Sequence, residues 1–327
     1  MRVLLTGATG FFAGNLLRVL RARGVTVRYL ARGNTIAVAA NGLDGVERAP
    51  GDVNDAAAMD AACRDVDWVV HAAAIASMAE KDRKDMERVN VGGTERVLAA
   101  ARAQNVKRFI HISTVDTIGL DPAGVPATEQ TTYNFDVMKN PYPDTKKASE
   151  DLVLAASREG LDAVIVNPGF MVGAYDPKPS SSRMVLEIMK GKGVLAPSGG
   201  NTFTDVLDAC EGTLLAAERG KCGERYILAG HNLTYRDFFT RTARIVGRRP
   251  PLGLVPKAVA MAFAGAAETV ARITGGNAVV NRGEVSFSDM PHYFSSQKAE
   301  RELGYRISPI EPAIARAADW FKQNHYV

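Results

Sequence analysis

The 327-residue sequence predicts an α/β fold, in which a doubly wound parallel sheet precedes a smaller, mostly helical C-terminal lobe. Short β-branched runs alternate with longer helical patterns up to about residue 166, which is typical of a parallel sheet with helices on both faces. A glycine-rich turn directly follows the first of these runs. After Pro168, prolines, serines and glycines interrupt the pattern, so we expect the second lobe to consist of discontinuous pieces.

The elements follow in order along the chain. We predict strands at residues 2–6, 25–30, 46–48, 67–71, 106–113 and 163–166, separated by helices at 14–23, 55–64, 84–104 and 143–159. The second lobe would add a strand at 224–228 and helices near 235–246 and 256–273. Ligands of such sheets bind at the carboxyl ends of the strands, so we expect the chemistry just after residues 6, 31, 52, 71, 113 and 167.

Composition excludes several classes of protein. The chain is 46% hydrophobic and 23% charged, which provides a packed core and excludes disorder. Its net charge of +4 is spread along the chain without a basic run, so we expect no nucleic-acid partner. The three cysteines form no CxxC pair and the five histidines are scattered, so we predict no metal site and a reducing, cytoplasmic location. The longest apolar stretch, residues 258–267, is too short to span a membrane, and no signal peptide is recognisable.

The turn after the first strand, from Gly7 to Ala13, reads GATGFFA. A tight glycine turn between strand and helix lets the backbone approach a pyrophosphate, and the helix N–H groups point at its charge. The spacing is GxxGxxA, with Ala13 in place of the glycine that permits close helix–strand packing. An ordinary turn with two glycines is the alternative, but its place at the start of a βαβ unit favours a dinucleotide on a Rossmann-type sheet. The dinucleotide-binding domain would comprise residues 1–172 and 203–228, and the substrate lobe 173–202 and 229–327.

The second and third strands bear on the choice of cofactor. NAD-specific sites usually end strand two with an acid, whereas Ala31 and Arg32 stand here. A guanidinium can bind a 2′-phosphate, so NADP(H) is favoured over NAD(H), unless Arg32 is only a surface charge. Asp52, which precedes Val53, either accepts a hydrogen bond from the adenine or caps the helix that begins near Asp55.

Tyr142 and Lys146 form a YxxxK pair. Pro143 would occupy the first helical position, and residues four apart lie on one helix face, so the ammonium would lower the pKa of the phenol from about 10. Such a pair arises by chance in about one comparable protein in three, so its position matters. It follows the strand that ends in Ser113 and Thr114, where a hydroxyl could bind a substrate carbonyl or only cap a loop.

The ordered set of motifs resembles the extended short-chain dehydrogenase/reductases, and within them the dihydroflavonol 4-reductase-like branch. The resemblance rests on Thr6–Phe11, Asp52–Val53, His71–Ala74, Val89–Thr94, Ser113–Thr114, Tyr142 with Lys146, and Asn167–Pro168. It continues through Gly223–Leu228, Phe294–Lys298, Glu302–Tyr305 and Trp320–Phe321, so it covers nearly the whole chain.

The resemblance implies a role for each matching residue. The catalytic residues would be Thr114, Tyr142 and Lys146. The cofactor would contact Gly7, Thr9, Gly10, Phe11 and Phe12 at the phosphate loop, Ala72, Ala73 and Ala74 at the adenosine side, and Pro168 and Met171 near the nicotinamide. Asn90 matches an asparagine near the active site, although a structural backbone contact is as good an interpretation.

The expected activity is NADPH-dependent reduction of an aldehyde or ketone, with Tyr142 as general acid. One alternative is a nucleotide-sugar epimerase or dehydratase with bound NAD, which is disfavoured because residues 201–208 hold no Arg and only Arg183 could replace it. Another is a non-catalytic NADP(H)-sensing regulator, which usually lacks the Tyr–Lys pair. The pocket would include Tyr133, Asn134, Asp136 and Phe170, and the apolar Met184, Met189, Phe203 and residues 258–273 favour a hydrophobic or aromatic substrate. A homodimer is left open.

Overall fold

The computed structural model describes residues 1–121, 124–135, 140–274 and 282–327. The strands are β1 (Arg2–Thr6), β2 (Thr26–Ala31), β3 (Val46–Pro50), β4 (Trp68–His71), β5 (Arg108–Ile112), β6 (Ala163–Pro168), β7 (Phe170–Val172), β8 (Leu195–Ala196), β9 (Gly200–Asp205), β10 (Arg225–Leu228), β11 (His231–Thr234), β12 (Gly253–Leu254) and β13 (Pro291–His292). The helices are α1 (Phe11–Ala22), α2 (Ala56–Cys63), α3 (Arg83–Met86), α4 (Gly92–Ala103), α5 (Pro141–Arg158), α6 (Arg183–Met189), α7 (Val206–Arg219), α8 (Tyr235–Ile245), α9 (Lys257–Thr274), α10 (Arg282–Ser288), α11 (Gln297–Leu303) and α12 (Ile310–Gln323).

Seven parallel strands form the main sheet in the order β10-β6-β5-β4-β1-β2-β3. Every residue of β5 and β6 is buried, as expected for strands that are covered on both faces. Leu16 of α1 and Leu214 of α7 belong to the core on one face, whereas Val97 of α4 and Val153 of α5 belong to the core on the other. The predicted doubly wound, Rossmann-type sheet is therefore confirmed.

Two local predictions about the helices are wrong in detail. Helix α5 begins at Pro141, two residues before the expected start, because the Asn140 side chain accepts a hydrogen bond from the Tyr142 amide and caps the helix. The predicted helix over 84–104 is not a single α-helix, because a π-helical turn at Glu87–Val91 joins α3 to α4. π-Helical turns are rare and occur mostly near functional sites.

A second, four-stranded sheet belongs to the C-terminal part and was not predicted. Strand β9 pairs with β7, β11 and β13, and all six of its residues are buried. Its centre is Phe203, which stacks on Phe238 of α8 at a ring distance of 3.9 Å. This sheet contains β7 from the expected dinucleotide-binding domain, and β9 crosses the expected boundary at residue 202, so the division into two domains stays a prediction.

Helix α9 contains the whole apolar stretch at residues 258–267. Within the described ranges, no helix combines the length and the apolar character that crossing a bilayer requires. Cys63 and Cys210 are buried and Cys222 is exposed, and all three are free thiols.

We expect Phe203→Ala to lower the free energy of unfolding by about 3–5 kcal/mol, because the stacked ring leaves a cavity in the core of the second sheet. Chemical denaturation followed by circular dichroism measures this loss. Phe263→Ala is the matched control, because Phe263 is 62% exposed on α9, and it should change stability by about 0.5 kcal/mol or less. Equal effects of the two substitutions would contradict the packing described here.

Candidate active site

The glycine turn after β1 packs against the end of β4 with almost no free space. Gly7 has φ +78°, and a Cβ at this position would lie 2.7 Å from the Ala72 carbonyl oxygen and 2.8 Å from the Ala73 nitrogen. The Thr6 hydroxyl accepts hydrogen bonds from the Ala72 and Ala73 amides, both at 3.1 Å. The backbone of the turn and of Ala72–Ala73 therefore forms one rigid wall.

The N-terminus of α1 is open to an anion. Gly10 is the N-cap residue, without a side-chain cap, and the first turn holds no acidic residue. The first N–H groups of a helix have no partner within the helix, and they carry the positive end of its dipole. A pyrophosphate fits this end of the helix chemically. The alanine that replaces the third glycine is accommodated, since Ala13 is buried in the core.

Arg32 and Asp52 follow the neighbouring strands β2 and β3 and form an ion pair at 3.7 Å. The guanidinium is 78% exposed, so it remains accessible to a ligand. Asp52 accepts hydrogen bonds from the amide and the side chain of Asn54, while Asp55 caps α2. The interpretation of Asp52 as the helix cap is thus wrong, because Asp55 is the cap. The other interpretation, a hydrogen bond from the adenine to Asp52, stays a prediction.

A cavity of about 630 Å³ opens at the carboxyl ends of β5 and β6. It brings together seven residues that the sequence singled out: Phe11, Phe12, Ser113, Thr114, Tyr142, Pro168 and Met171. Predicted Phe170 also lines it, and so do Ser77, Met78, Asp116, Arg183, Asn201 and Tyr235, among others. The glycine turn and the Tyr–Lys pair therefore share one site.

Lys146 lies buried behind this cavity. Its ammonium donates a hydrogen bond to the Ile112 carbonyl at 2.7 Å and lies 3.5 Å from Nε2 of His111. Burial lowers the pKa of Lys146 to about 8, and the negative charge of Glu150 opposes this shift. His71 pairs with His111 across β4 and β5, and burial, followed by the charge of Lys146, lowers the pKa of both imidazoles below the neutral range. Neutral histidines add no repulsion to the buried ammonium.

The expected lowering of the phenol pKa is not found. Burial, and next the carboxylate of Asp116, raise the pKa of Tyr142 above its ordinary value, while a hydrogen bond with Thr114 lowers it. The ammonium of Lys146 is engaged by the backbone of β5 and is not among the causes that shift this group. The phenol is therefore protonated at neutral pH, which suits a proton donor.

Thr114 caps a turn, which is one of the two roles that the sequence left open, and it also lines the cavity. Its hydroxyl accepts from the Asp116 amide at 3.2 Å, which caps the short turn at Val115–Thr117, and it also faces the cavity. It donates to Oδ2 of Asp116 at 3.1 Å. Burial raises the pKa of Asp116 to about 6, and the hydrogen bond with Thr114 opposes that shift. In the described part of the chain, the buried hydroxyl of Ser113 has no hydrogen-bond partner, so it can serve a ligand.

A buried polar network fixes the loop that carries Thr114. The Asn167 side chain donates to the Thr114 carbonyl at 2.9 Å and to the Thr117 hydroxyl at 3.0 Å. Glu150, fully buried one helical turn after Lys146, accepts hydrogen bonds from Asn167 and Thr117 and pairs with Arg225 at 3.4 Å. The ends of β5 and β6 are thereby tied to the helix of Tyr142 and Lys146.

Several other predicted residues have structural contacts. The Asn90 side chain binds the amide and carbonyl of Ile75 and the Thr145 hydroxyl, which supports its structural interpretation. Tyr133 donates to Asp144 and Asn134 binds the backbone of Leu120. Neither of these two predicted lining residues contacts the cavity. Asp136 lies outside the described residues. The apolar set Met184, Met189 and Phe203 belongs to or packs against the core.

The polar residues of the cavity that the sequence interpretation missed include Asp116, Asn201 and Tyr235. Asp116 stands two residues after Thr114, so its place in an active-edge segment was a usable signal. Asn201 comes from β9 and Tyr235 from the start of α8, and their side chains are 3.4 Å apart. Neither could be found without the second sheet. In the described ranges, no cluster of three His, Cys, Asp or Glu side chains could hold a metal ion.

Comparisons with known proteins agree with this geometry. The model of the NAD dependent epimerase/dehydratase family matches residues 3–229. A protein of Synechocystis sp. named for dihydroflavonol 4-reductase is 32% identical, over 98% of this chain and 95% of its own length. A 4-hydroxy-2-methyl-3-oxo-4-farnesyl-3,4-dihydroquinoline-1-oxide ketoreductase of Stigmatella aurantiaca is 34% identical, over 93% and 92%. The crystal structure of a nucleoside-diphosphate-sugar epimerase from Pseudomonas aeruginosa has a TM-score of 0.82 and 26% identity, over 100% and 99%.

We expect Gly7→Ala to weaken NADPH binding at least tenfold, because the new methyl group would displace the backbone of Ala72 and Ala73. Gly24→Ala is the matched control: Gly24 has φ +76°, and nothing lies within 4 Å of its added Cβ. Both variants carry the backbone strain of about 1–2 kcal/mol, but only the first disturbs the turn. Fluorescence titration with NADPH measures the affinities, and similar loss in both variants would show that strain alone is responsible.

Proposed function

The chain belongs to the NAD dependent epimerase/dehydratase family and is an NAD(P)-dependent oxidoreductase, and from this premise we propose that it reduces an aldehyde or ketone with NADPH. The observation that carries the proposal is the place of the Tyr142 phenol. It lines the same cavity as Thr114 and the phosphate-loop residues Phe11 and Phe12, with the buried Lys146 behind it.

In the proposed reaction, bound NADPH supplies the hydride. Thr114 and Tyr142 hydrogen-bond the carbonyl oxygen and hold the substrate in the cavity. Tyr142 then transfers its proton to that oxygen as negative charge develops there. The raised pKa of Tyr142 supports this direction, since a protonated phenol is required for reduction and a phenolate for oxidation. Lys146, whose buried ammonium donates to the Ile112 carbonyl, would serve as a donor for the cofactor's ribose.

The names of the relatives point the same way. One is named for dihydroflavonol 4-reductase and another is a ketoreductase, and each aligns with more than nine-tenths of this chain. The proposed NADP(H) preference has a separate support. The exposed guanidinium of Arg32 follows β2, where Ala31 stands in place of the acid that usually ends this strand in NAD-specific sites. Asp52 pairs with this guanidinium at 3.7 Å, so a 2′-phosphate would bind Arg32 beside that carboxylate.

A nucleotide-sugar epimerase is the second candidate, and Arg183 is the observation that favours it. This residue lines the cavity with a side chain that is 68% exposed, so it can approach a diphosphate. A solved epimerase also shares the fold at 26% identity. Against it, residues 201–208 hold no arginine. Purified protein that carries tight NAD⁺ and converts nucleotide sugars, but reduces no aldehyde or ketone, would favour the epimerase. The regulator alternative is set aside because the chain is an oxidoreductase.

We expect Tyr142→Phe to lower kcat/KM for carbonyl reduction by about 10²–10⁴-fold, because the proton donor is lost while the ring remains. Stopped assays of NADPH consumption measure the rate, and fluorescence titration should show nearly unchanged NADPH binding. Tyr133→Phe removes a phenol that donates to Asp144 outside the cavity, and it serves as the control. Near-normal turnover in Tyr142→Phe would refute the assignment.

We expect Arg32→Ala to raise the KM for NADPH about tenfold or more and to leave the KM for NADH nearly unchanged, because only NADPH presents a phosphate to the guanidinium. Arg64→Ala removes another exposed arginine, which pairs with Asp60 on α2, and it should change neither value. Equal changes for both cofactors in Arg32→Ala would indicate a structural role for this side chain.

A further inference from the structure

Asp116 presents to the candidate substrate cavity a carboxylate that forms no ion pair with a described cation. It lines the cavity and is half-buried. The only hydrogen bond that the structure records for its carboxylate, within the described ranges, comes from Thr114, and no cation there forms an ion pair with it. A carboxylate that is partly removed from water without a cation costs stability. Its retention next to the reacting groups therefore suggests a role in binding.

The Thr114 hydroxyl has only one proton to donate. In the structure that proton goes to Oδ2 of Asp116. The proposed reduction needs the same proton for the substrate's carbonyl oxygen, so the carboxylate and the carbonyl compete for it. A second donor that satisfies Asp116 would release Thr114 to the carbonyl.

The other walls of the cavity leave Asp116 free for such a donor. Tyr142 and Tyr235 are the titratable neighbours whose pKa the charge of Asp116 raises, after the larger effect of burial. Tyr235 accepts a hydrogen bond from Asn201 at 3.4 Å, and Arg183 lines the cavity with Glu187 at 4.0 Å from it. Among the described side chains, the structure records a hydrogen bond to the Asp116 carboxylate from Thr114 alone, and a bound substrate can supply another.

We propose that Asp116 is a substrate subsite that accepts a hydrogen bond from a hydroxyl group close to the carbonyl that is reduced. The proposal rests on the proposed carbonyl reduction. Thr114 Oγ1 and Asp116 Oδ2 are 3.1 Å apart, and a hydrogen bond spans about 2.7–3 Å. A donor that reaches Asp116 while the carbonyl reaches Thr114 therefore sits on the carbon next to the carbonyl, or on the following one. The substrate class is a hydroxy ketone or hydroxy aldehyde, and Met78 and Phe170 can hold an apolar remainder.

Two effects follow for the wild-type enzyme. A hydrogen bond to a charged group is worth about a 10- to 100-fold gain in kcat/KM over the same substrate without the hydroxyl. Part of this gain falls on kcat, because the hydroxyl frees the Thr114 proton for the carbonyl. A subsite that only adds affinity would change KM alone.

The experiment compares 2-hydroxyacetophenone with acetophenone in the wild type, Asp116→Ala and Asp116→Asn. The kcat/KM of the wild type should be about 10- to 100-fold higher for 2-hydroxyacetophenone than for acetophenone, with a higher kcat and a lower KM. Asp116→Ala should lose that preference, so that its kcat/KM for 2-hydroxyacetophenone falls about 10- to 100-fold relative to its own kcat/KM for acetophenone. Asp116→Asn keeps an acceptor oxygen without the charge, so it should retain part of the preference. Asp151→Asn, at an exposed site on α5, is the control.

Three results would overturn the proposal. One is equal kcat/KM for the two ketones in the wild type. Another is an equal loss of kcat/KM for both ketones in Asp116→Ala, which would mean that Asp116 only positions Thr114. The third comes from calorimetric titration of the two ketones into the enzyme with NADP⁺, which requires no turnover: equal affinities would exclude the subsite. Failure to reduce any carbonyl, with the hydroxy ketone still bound preferentially, would instead count against the proposed reduction.

The pH profile separates a charged subsite from a purely structural residue. The charge of Asp116 helps to keep Tyr142 protonated, so its removal lowers the pKa of that phenol. The alkaline loss of acetophenone reduction should therefore begin at lower pH in Asp116→Ala and Asp116→Asn than in the wild type or Asp151→Asn. Identical profiles in all four proteins would contradict the placement of this charge beside the phenol.

Discussion

The buried contact between Asn167, Glu150 and the loop after β5 is the constraint on which the candidate site depends. Asn167 ends β6, Glu150 lies inside α5, and both bind the turn that contains Thr114 and Thr117. Each polar group is buried, so its loss would leave an unsatisfied partner in the core. Thr114, Tyr142 and Lys146 are therefore held by the sheet and its flanking helix, which is the rigid support that the proposed proton transfer would require.

Burial dominates the pKa shifts at this site, and it acts in opposite directions on Lys146 and Tyr142. It lowers the pKa of Lys146 and raises the pKa of Tyr142, since each charged form loses hydration. The simple expectation from i and i+4 spacing fails because Lys146 turns towards the Ile112 carbonyl. A phenol that keeps its proton would be available as the general acid of the proposed reduction.

The sequence predicted the main sheet well because most of its strands are largely buried apolar runs, which have a strong local signature. It also predicted the residues that face the cavity from the ends of these strands, such as Thr114 and Pro168. It missed Asn201 and Tyr235 because β9 and α8 reach the cavity only through the pairing of β9 with β7 and β11, which is non-local. The Glu150–Asn167 contact was also hidden, since nothing in a helix or strand pattern indicates which buried polar side chains meet.

The part of the cavity wall that the sequence predicted differs from the part that it missed in the elements that form it. The inner wall of the cavity comes from α1, α5 and the ends of β5 and β6, whose local patterns are strong and whose groups would act on the carbonyl in the proposed reaction. Its outer wall comes from β9, α8 and α6, which pack together in a separate core around Phe203. Asp116 stands on the inner wall, one turn from Thr114, so a charge there acts on the chemistry and on recognition at once. A change in the outer wall can alter which molecule enters, but a change at Asp116 also alters the proton that Thr114 can donate, and this couples substrate choice to rate.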